Sequence, residues 1–565
     1  MSVLLLDISL DWEKYCFNID KTVSLFYIQY KTSDKFTKDK LKFENEYYYL
    51  ILDGIVLNKD QLLKEVHCEN WGAFLVDCYE KNGNAFFKVL KGSYYGFLFD
   101  KRQNKYIIFT DHIGTKPLYY SIDENHIIVS NHYLSLVNYL KENGKRLTLN
   151  EHAAYLILTY GYVYEDVTIT NEINRMMIGQ YAVIQNATMN IEKFYCLKND
   201  PISITEEEAI EELDRQFRKT VDLAFSKDVE YGYKHVVTLS GGLDSRMTAF
   251  VAHDIGYKEQ LNLTFSQSNY LDETVAKQIS SDLKHDWIFK TLDSGNFLFD
   301  IDIITEITGG NVLYYGLAHA NSLYKRLNFK DLGVLHTGQL GDVIVSSFCK
   351  TINSQQDFSS SQIAYSPILL KKIKDIPPKI EYPNEEIYKM YIRGFYGANQ
   401  GLLGTMNYTE TYSPFYDIDF MDFCLSIPLN IRLKHNLYKK WILKKYPEAA
   451  KYTWEKEKVP INYKFWVKFK NRSIPLKEIP NKIKSLIGQK KYGPTTKNNM
   501  NPLEYWYHTN RDLELFMDSY LYQTINTIED HPDLVSSCMK IYQESKASEK
   551  VQVLSLLAGI KAIMQ

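Results

Sequence analysis

The sequence predicts a two-part α/β protein: a mostly antiparallel sheet module up to about residue 200, then a parallel sheet covered by helices. Three observations carry this. Short alternating segments separated by polar turns fill the first part. From about Ser203 the pattern changes to strand-like runs alternating with helical ones. At the first strand-to-helix junction of that second part stands "VVTLSGGLDSRMTAF", residues 236 to 250.

The strand-like segments of the first part are "YYYLILDGIVL", "GSYYGFLFD", "KYIIFTDH", "KPLYYSI", "HIIVSNH" and "QYAVIQN", with turns at "DKRQNK" and "DENH". The opening "MSVLLLDISLDW" lacks a basic flank and a cleavage pattern, so it is expected to be a strand and not a signal peptide. In "SITEEEAIEELDRQFRKTVDLAF", Ser203 or Thr205 caps a helix whose first turn is acidic. "HVVTL", "QLNLTF", "DWIFKT" and "GVLHTG" then alternate with helices starting near 244 and 272, which implies a parallel sheet. The polar stretch "GQKKYGPTTKNNMNP" (488–502) reads as a loop or linker, and the last 60 or so residues as helical. The expected domains are residues 1–200, 201–470 and a helical extension over 471–565.

Composition narrows the classes. The chain has 565 residues, enough for about two to four domains at ~100–200 residues each. With 45% hydrophobic residues it can bury a sizeable core. A net charge of -3, with no basic stripe interleaved with aromatic residues standing out, argues against nucleic acid as a partner. The seven cysteines are scattered, odd in number and without a CxxC pair, which points to reduced thiols in a cytoplasmic protein and away from a disulfide framework or a zinc site. The apolar run "VQVLSLLAGIKAIM" is shorter than the ~20 residues of a membrane span.

The glycine turn carries the chemistry. After a strand, Ser240, Gly241, Gly242, Leu243, Asp244 and Ser245 lead into a helix. Glycines let backbone N–H groups approach an anion, the helix N-terminus adds positive potential, and serine hydroxyls donate. An acid in such a turn repels phosphate unless a cation lies between, so Asp244 implies a metal-bound polyphosphate. The turn is not a Walker loop: the nearest Gly-Lys, Gly144-Lys145, precedes Arg146 and has no glycine at the required offset. Nor is it a hydrolase nucleophile elbow, because Thr238 stands where that motif requires glycine.

"LSGGLDSR" resembles the SGGxDS signature of the ATP pyrophosphatases, which split ATP into AMP and pyrophosphate. Three further stretches are similar to asparagine synthetase in particular. These are "FSQSNYLDETVAKQISSDLKHDWIF" with the acid pair Asp272 and Glu273, "VLHTGQLGDVI" in place of SGEGxDE, and "YSPFYDIDFMDFCLSIPLNIRLKHNLYKKWILKKYPE". In the first part, "LDGIVLNKDQL" resembles NGEIYN, and "GSYYGFLFDKRQNKYIIFTDHIGTKPLYYS" resembles the class II glutamine amidotransferase pattern of that family. The resemblance implies an N-terminal-nucleophile (Ntn-type) αββα sandwich followed by a doubly wound PP-loop domain with helical additions.

The resemblance also assigns roles. Ser240, Gly241, Gly242 and Ser245 would cradle pyrophosphate, and Asp244 and Asp342 would hold Mg²⁺ beside ATP. Leu239 and Phe265 match adenine-pocket positions, and Thr337 and Gly338 match the Ser-Gly of the second loop. Lys456, with Lys458 as its rival, corresponds to the catalytic lysine. Gln339 replaces the family's acid, and an amide is no general base; Tyr412, Glu455 and Glu457 are the candidates to replace it. The glutaminase half departs further. Ser2 stands for the nucleophilic cysteine, Asp53 and Ile55 for the Asn and Glu of NGE, and Trp71 for the acid that binds the substrate amine. Cys16 lies too far in to serve as an N-terminal nucleophile.

The expectation is therefore a silent first half and an AMP-forming amide ligase acting on a small-molecule, peptide or sugar substrate with carboxylate and amine. A homodimer is left open, and an asparagine synthetase using free ammonia and aspartate is the alternative.

Overall fold

The computed structural model describes residues 2–9, 26–352, 363–373, 378–469, 472–486 and 495–564. Cys16 and part of the expected 488–502 loop lie outside them. The six cysteines among the described residues are free thiols.

The strands before residue 200 are β1 (Val3–Ser9), β2 (Phe26–Lys31), β3 (Leu41–Glu44), β4 (Tyr48–Val56), β5 (Gly92–Asp100), β6 (Lys105–Thr110), β7 (Tyr119–Ile122), β8 (His126–Ser130), β9 (Asn174–Arg175), β10 (Gln180–Gln185) and β11 (Thr188–Lys193). They form two antiparallel sheets, ordered β2-β1-β8-β7-β9 and β11-β10-β6-β5-β4-β3. Leu4, Leu6 and Ile8 of the first sheet meet Ile51, Phe97 and Ile108 of the second in the core between them. The outer face of the second sheet is covered as well. Helices α1 (Lys59–Glu65) and α2 (Trp71–Asn82) follow β4, and Trp71, Phe74 and Leu75 of α2 pack with Tyr48, Leu50 and Leu98. Burial on both faces explains why β4 reads as a nearly continuous apolar run. Helix α3 (Tyr133–Glu142) packs on β7 and β8, which completes an αββα sandwich.

The second part begins with α5 (Glu206–Tyr231), which follows α4 (Glu151–Tyr160); Thr205 caps α5 and Glu208 closes the capping box. Strands β12 (Lys234–Thr238), β13 (Gln260–Ser266), β14 (Asp286–Thr291), β15 (Leu332–His336) and β16 (Thr411–Tyr412) form a parallel sheet in the order β14-β13-β12-β15-β16. Helices α6 (Leu243–Asp254), α7 (Leu271–Leu283), α8 (Ile301–Thr308) and α9 (Tyr315–Tyr324) follow the strands. The chain order reverses between β12 and β15, so their C-terminal ends open a crevice at a topological switch point, where open α/β sheets bind ligands.

A buried carboxylate ties α5 to this sheet. Asp228 Oδ2 accepts from His235 at 2.9 Å and from His336 at 2.8 Å, while Oδ1 accepts from the Val334 N–H at 2.7 Å. Burial pushes its pKa up. The His336 charge and these hydrogen bonds overcome that and hold it below the usual carboxylate range. A depressed folded-state pKa supplies stability above the unfolded value of ~3.9, lost as pH falls through the folded one. Asp228→Asn is expected to cost about 3 kcal/mol at pH 7, and to flatten the acid limb of stability, as urea titrations at several pH values would show.

The two halves are joined by buried ionic contacts. Asp39, with no exposure, receives Lys59 at 2.8 Å and Lys227 of α5 at 3.1 Å. Lys116 meets Glu410 at 2.8 Å. Tyr162 and Val312 form an antiparallel bridge, flanked by hydrogen bonds from Leu313 N to Gly161 O at 2.8 Å and from Val163 N to Asn311 O at 3.0 Å.

Beyond β16 lie two small hairpins, β17 (Thr453–Trp454) with β18 (Val459–Pro460), and β19 (Trp466–Phe469) with β20 (Arg472–Pro475). The second hairpin was not anticipated in the sequence. The helices Leu503–Thr509, Arg511–Thr524, Pro532–Glu544 and Ala547–Met564 follow. The last of these is buried along most of its length and packs on both α4 and α8, with Gly559 tight against Gly310. Its apolar run is a core helix between the halves. Among the described residues no helix is long and apolar enough to cross a membrane.

Candidate active site

A cavity of about 720 Å³ opens at the C-terminal ends of β12 and β15, within the size range of small-molecule sites. The glycine turn forms one end of it. Ser240 N donates to Ser245 Oγ at 3.0 Å, Gly242 N to Ser240 Oγ at 3.2 Å, and Gly241 N to Asp272 Oδ1 at 2.8 Å. Leu239, Ser240, Gly242, Asp244, Ser245, Phe265, Thr337, Gly338 and Gln339, all singled out in the sequence, line the cavity. Gly241 and Leu243 do not: Gly241 is turned toward Asp272 and Glu455, and Leu243 is buried in the core. Of the predicted acid pair, Asp272 lines the cavity, while Glu273 accepts from Asn269 N at the start of α7.

The second loop is seated on the first. A Cβ on Gly338 would fall 2.2 Å from Ser245 N, and one on Gly341 would fall 3.0 Å from Asp244 Cβ, so glycine alone allows this approach. Leu340, between them, holds a left-handed φ of 61°. The seating brings Asp342, at the start of the short helix α10 (Gly341–Val345), beside Asp244. Burial and then the Asp342 charge push Asp244 well above the usual carboxylate range, opposed by the Tyr438 hydroxyl, the Asp342 N–H and the Lys456 charge. Asp342 is raised by burial too. Asp244 Oδ1 is buried without a hydrogen-bond partner among the described residues. Two adjoining carboxylates, one with an orphaned oxygen, form a donor set that fits a hard divalent cation.

Arg246, one turn into α6, organises the wall behind the turn. Its guanidinium is fully buried and donates to the carbonyls of Ala449 at 3.0 Å, Tyr452 at 3.1 Å, Thr453 at 2.7 Å and Gly241 at 3.2 Å. Burial pushes its pKa down to about 10. Glu455 N donates to Gly241 O at 3.1 Å, which sets β17 against the glycine turn. Glu455 lines the cavity, and its carboxylate accepts from Lys458 Nζ at 3.0 Å and from the Tyr270 hydroxyl. Of the two candidate lysines, Lys456 acts on the paired aspartates, and Lys458 acts on Asp272. Lys456 is exposed, does not line the cavity, and donates to His435 Nε2 at 2.7 Å; burial pushes His435 down to about 4, so it is a neutral acceptor at pH 7. Tyr412 is buried and also does not line the cavity, nor does Glu457.

The opposite end of the cavity is aromatic. His319 stacks on Phe265 with ring centroids 4.9 Å apart, and burial holds its pKa near 4. Tyr160 and Tyr162 come from the amino-terminal half, carried there by the bridge to Val312, and Tyr315 and Tyr365 from the second. Asp244, Asp272 and Glu455 are lining acids, but no Lys or Arg lines the cavity among the described residues. Sequence reasoning missed Arg246, His319 and Tyr162. Arg246 left a trace, as the one basic residue on the first turn of the helix that the glycine turn opens. Asp272 pushed up to about 6 by burial, then by the Glu455 charge, is likewise a consequence of assembly.

In the first half, Ser2 Oγ lies 3.3 Å from Thr32 Oγ1, and Asp53 is fully buried, accepting from Tyr30 at 2.7 Å and Thr32 at 2.5 Å. Ile55 is core, and Trp71 Nε1 donates to Asp39 O at 3.1 Å. The space at Ser2 is about 80 Å³.

Residues 36–195 match the glutamine amidotransferase domain family. The chain is 26% identical over 228 residues to a putative asparagine synthetase [glutamine-hydrolyzing] 2 of Methanocaldococcus jannaschii, a match spanning 39% of this chain and 43% of that relative, less than half its length. Among solved structures, a glutamine phosphoribosylpyrophosphate amidotransferase from B. subtilis is similar at 11% identity, with TM-score 0.24, over 53% of this chain and 86% of that one. An NMN synthetase from Francisella tularensis is similar at 16% identity, with TM-score 0.18, over 40% of this chain and 94% of that one. The chain thus matches the glutamine amidotransferase domain family over residues 36–195 and is similar, over part of its length, to a putative asparagine synthetase.

Proposed function

We propose that the protein is an ATP-dependent carbon–nitrogen ligase that adenylates a substrate carboxylate, releases pyrophosphate, and passes the acyl group to an amine, without glutaminase activity of its own. The observation that carries this is the pairing of Asp244 with Asp342 at the glycine turn, with a buried carboxylate oxygen left unpartnered. These two residues would hold Mg²⁺, which when bound would neutralise polyphosphate charge. Ser240, Gly242 and Ser245 face the cavity where the departing pyrophosphate would lie, and Phe265 with His319 offers a flat apolar face for adenine.

In the first step a substrate carboxylate oxygen bonds to the α-phosphorus and the bond to the β-phosphate breaks. In the second an amine bonds to the acyl carbon, AMP leaves, and the amine gives up a proton. Gln339 donates its amide to Ala398 O at 2.7 Å and cannot take that proton. Glu455 is the acid positioned for it, since of the three candidates it alone lines the cavity. Ser2 with buried Asp53, Ile55 and Trp71 supports a silent first half.

That no Lys or Arg among the described residues lines the cavity bears on the alternative. A free amino acid such as aspartate carries a second carboxylate that needs a cation, and the aromatic end supplies neutral rings and hydroxyls. This favours a partner that is uncharged there. Supplying ATP, Mg²⁺, aspartate and ammonium is expected to yield no asparagine; asparagine formation would establish the alternative. With α-labelled ATP and the cognate substrate the labelled product is expected to be AMP, and labelled ADP would refute adenylation. Ser2→Ala is expected to leave product formation unchanged.

A further inference from the structure

One surface of the molecule has no part in the cavity. Between residues 461 and 484 the sequence carries seven Lys and Arg against one Glu, in a chain whose net charge is -3. The expectation that no basic stripe interleaved with aromatic residues exists is thereby corrected: "NYKFWVKFKNR" is one. In the total charge it is offset by the acidic remainder of the chain.

The hairpin of β19 and β20 gives this stripe two faces. Trp466 pairs with Pro475, Val467 with Ile474, and Lys468 with Ser473. Leu476 N donates to Phe465 O at 2.9 Å, which extends the pairing by one step. Strand alternation therefore places Phe465, Val467, Ile474 and Leu476 on one side. Phe465 is 67% exposed, Leu476 52% and Val467 40%, so these side chains are left uncovered by the described residues. The helix that follows, Ile479–Leu486, adds Ile483 at 55% exposure. The same alternation places Lys464 and Lys468 on the other side, with Trp466; Lys477 and Lys482 are exposed next in sequence to Leu476 and Ile483, while the acid of the segment, Glu478, is buried.

We propose that this hairpin and helix form a docking surface for an anionic lipid bilayer, on which the protein sits peripherally. Exposed aliphatic and aromatic side chains on one side of an element whose other side and end carry lysines are what an interfacial segment needs: the apolar groups enter the headgroup boundary, and the long ammonium side chains reach anionic lipid. A second copy of the same face is disfavoured, because self-pairing would set the lysines against each other. Single-stranded nucleic acid would use the charge and the aromatic rings, but Val467, Leu476 and Ile483 offer bases nothing to stack on.

The test is co-sedimentation of the full chain with vesicles. Binding to phosphatidylcholine containing about 30% phosphatidylserine should be at least about tenfold tighter than to phosphatidylcholine alone, and should fall with added salt. Phe465→Ser with Leu476→Ser, and separately Lys464→Glu with Lys468→Glu and Lys477→Glu, should each reduce binding about tenfold or more with the melting temperature unchanged. If a variant is destabilised, the lipid and salt dependence of the unaltered protein still decides. Equal binding to neutral and anionic vesicles, binding unaffected by the substitutions in a folded protein, or a single-stranded oligonucleotide displacing the protein from vesicles would overturn the proposal.

Discussion

Asp244→Asn is expected to reduce pyrophosphate release by a factor on the order of 10³ while leaving the fold intact, an effect of the size seen when one preorganised electrostatic group is lost. The stability arm of the same experiment has an unusual sign. Burial and Asp342 hold Asp244 above its ordinary range. A carboxyl whose folded pKa is raised destabilises the native state at pH values above its unfolded pKa, and the penalty is relieved as pH falls from the folded value toward the unfolded one. Removing the charge should therefore raise the melting temperature at neutral pH in metal-free buffer. Adding Mg²⁺ should stabilise the parent protein and leave the variant unmoved, because ligand that binds only the native state shifts its stability by mass action. A variant that melts lower than the parent without metal, or that gains equally from Mg²⁺, would contradict the reading of Asp244 and Asp342 as a cation pair.

Arg246→Ala is expected to be the most damaging single change for folding among the residues of this site. Four backbone carbonyls, of Gly241, Ala449, Tyr452 and Thr453, share its guanidinium in a region closed to solvent. Leaving buried acceptors unmet costs about 1–3 kcal/mol for each, moderated by relaxation, so a loss of about 3–5 kcal/mol is expected. Arg246→Lys keeps the charge but cannot fork between two chain segments. It should retain a folded protein whose kcat falls more than its KM rises, since the 453–460 hairpin with Glu455 loses its anchor to the glycine turn. Urea unfolding and steady-state kinetics read the two arms. Substrate binding impaired with kcat preserved would argue that Arg246 serves the pocket and not the hairpin.

Much of the fold was legible because its signals are local. Thr205 and Glu208 sit three residues apart and announce α5, and the strand-turn-helix at Ser240 is continuous in sequence. The two loops could be paired on resemblance, and their glycines then turn out to be the residues that let them touch. What remained illegible depends on distant segments. Nothing around Tyr162 says that it pairs with Val312, and nothing around Phe465 says that the described residues leave it exposed. That Lys456 acts on the paired aspartates and Lys458 on Asp272 depends on where a short hairpin is held. That geometry is set by Arg246, more than 200 residues earlier in the chain.

The bridge between Tyr162 and Val312 bears on how such proteins can be recombined. A chimera that kept the parallel sheet and borrowed an amino-terminal half from a relative would keep the glycine turn and both aspartates. It would exchange Tyr160 and Tyr162 for whatever the donor carries at those places. On the proposal that this half is catalytically silent, it would act as an interchangeable gatekeeper, and swapping it would change which guest is admitted without touching the chemistry.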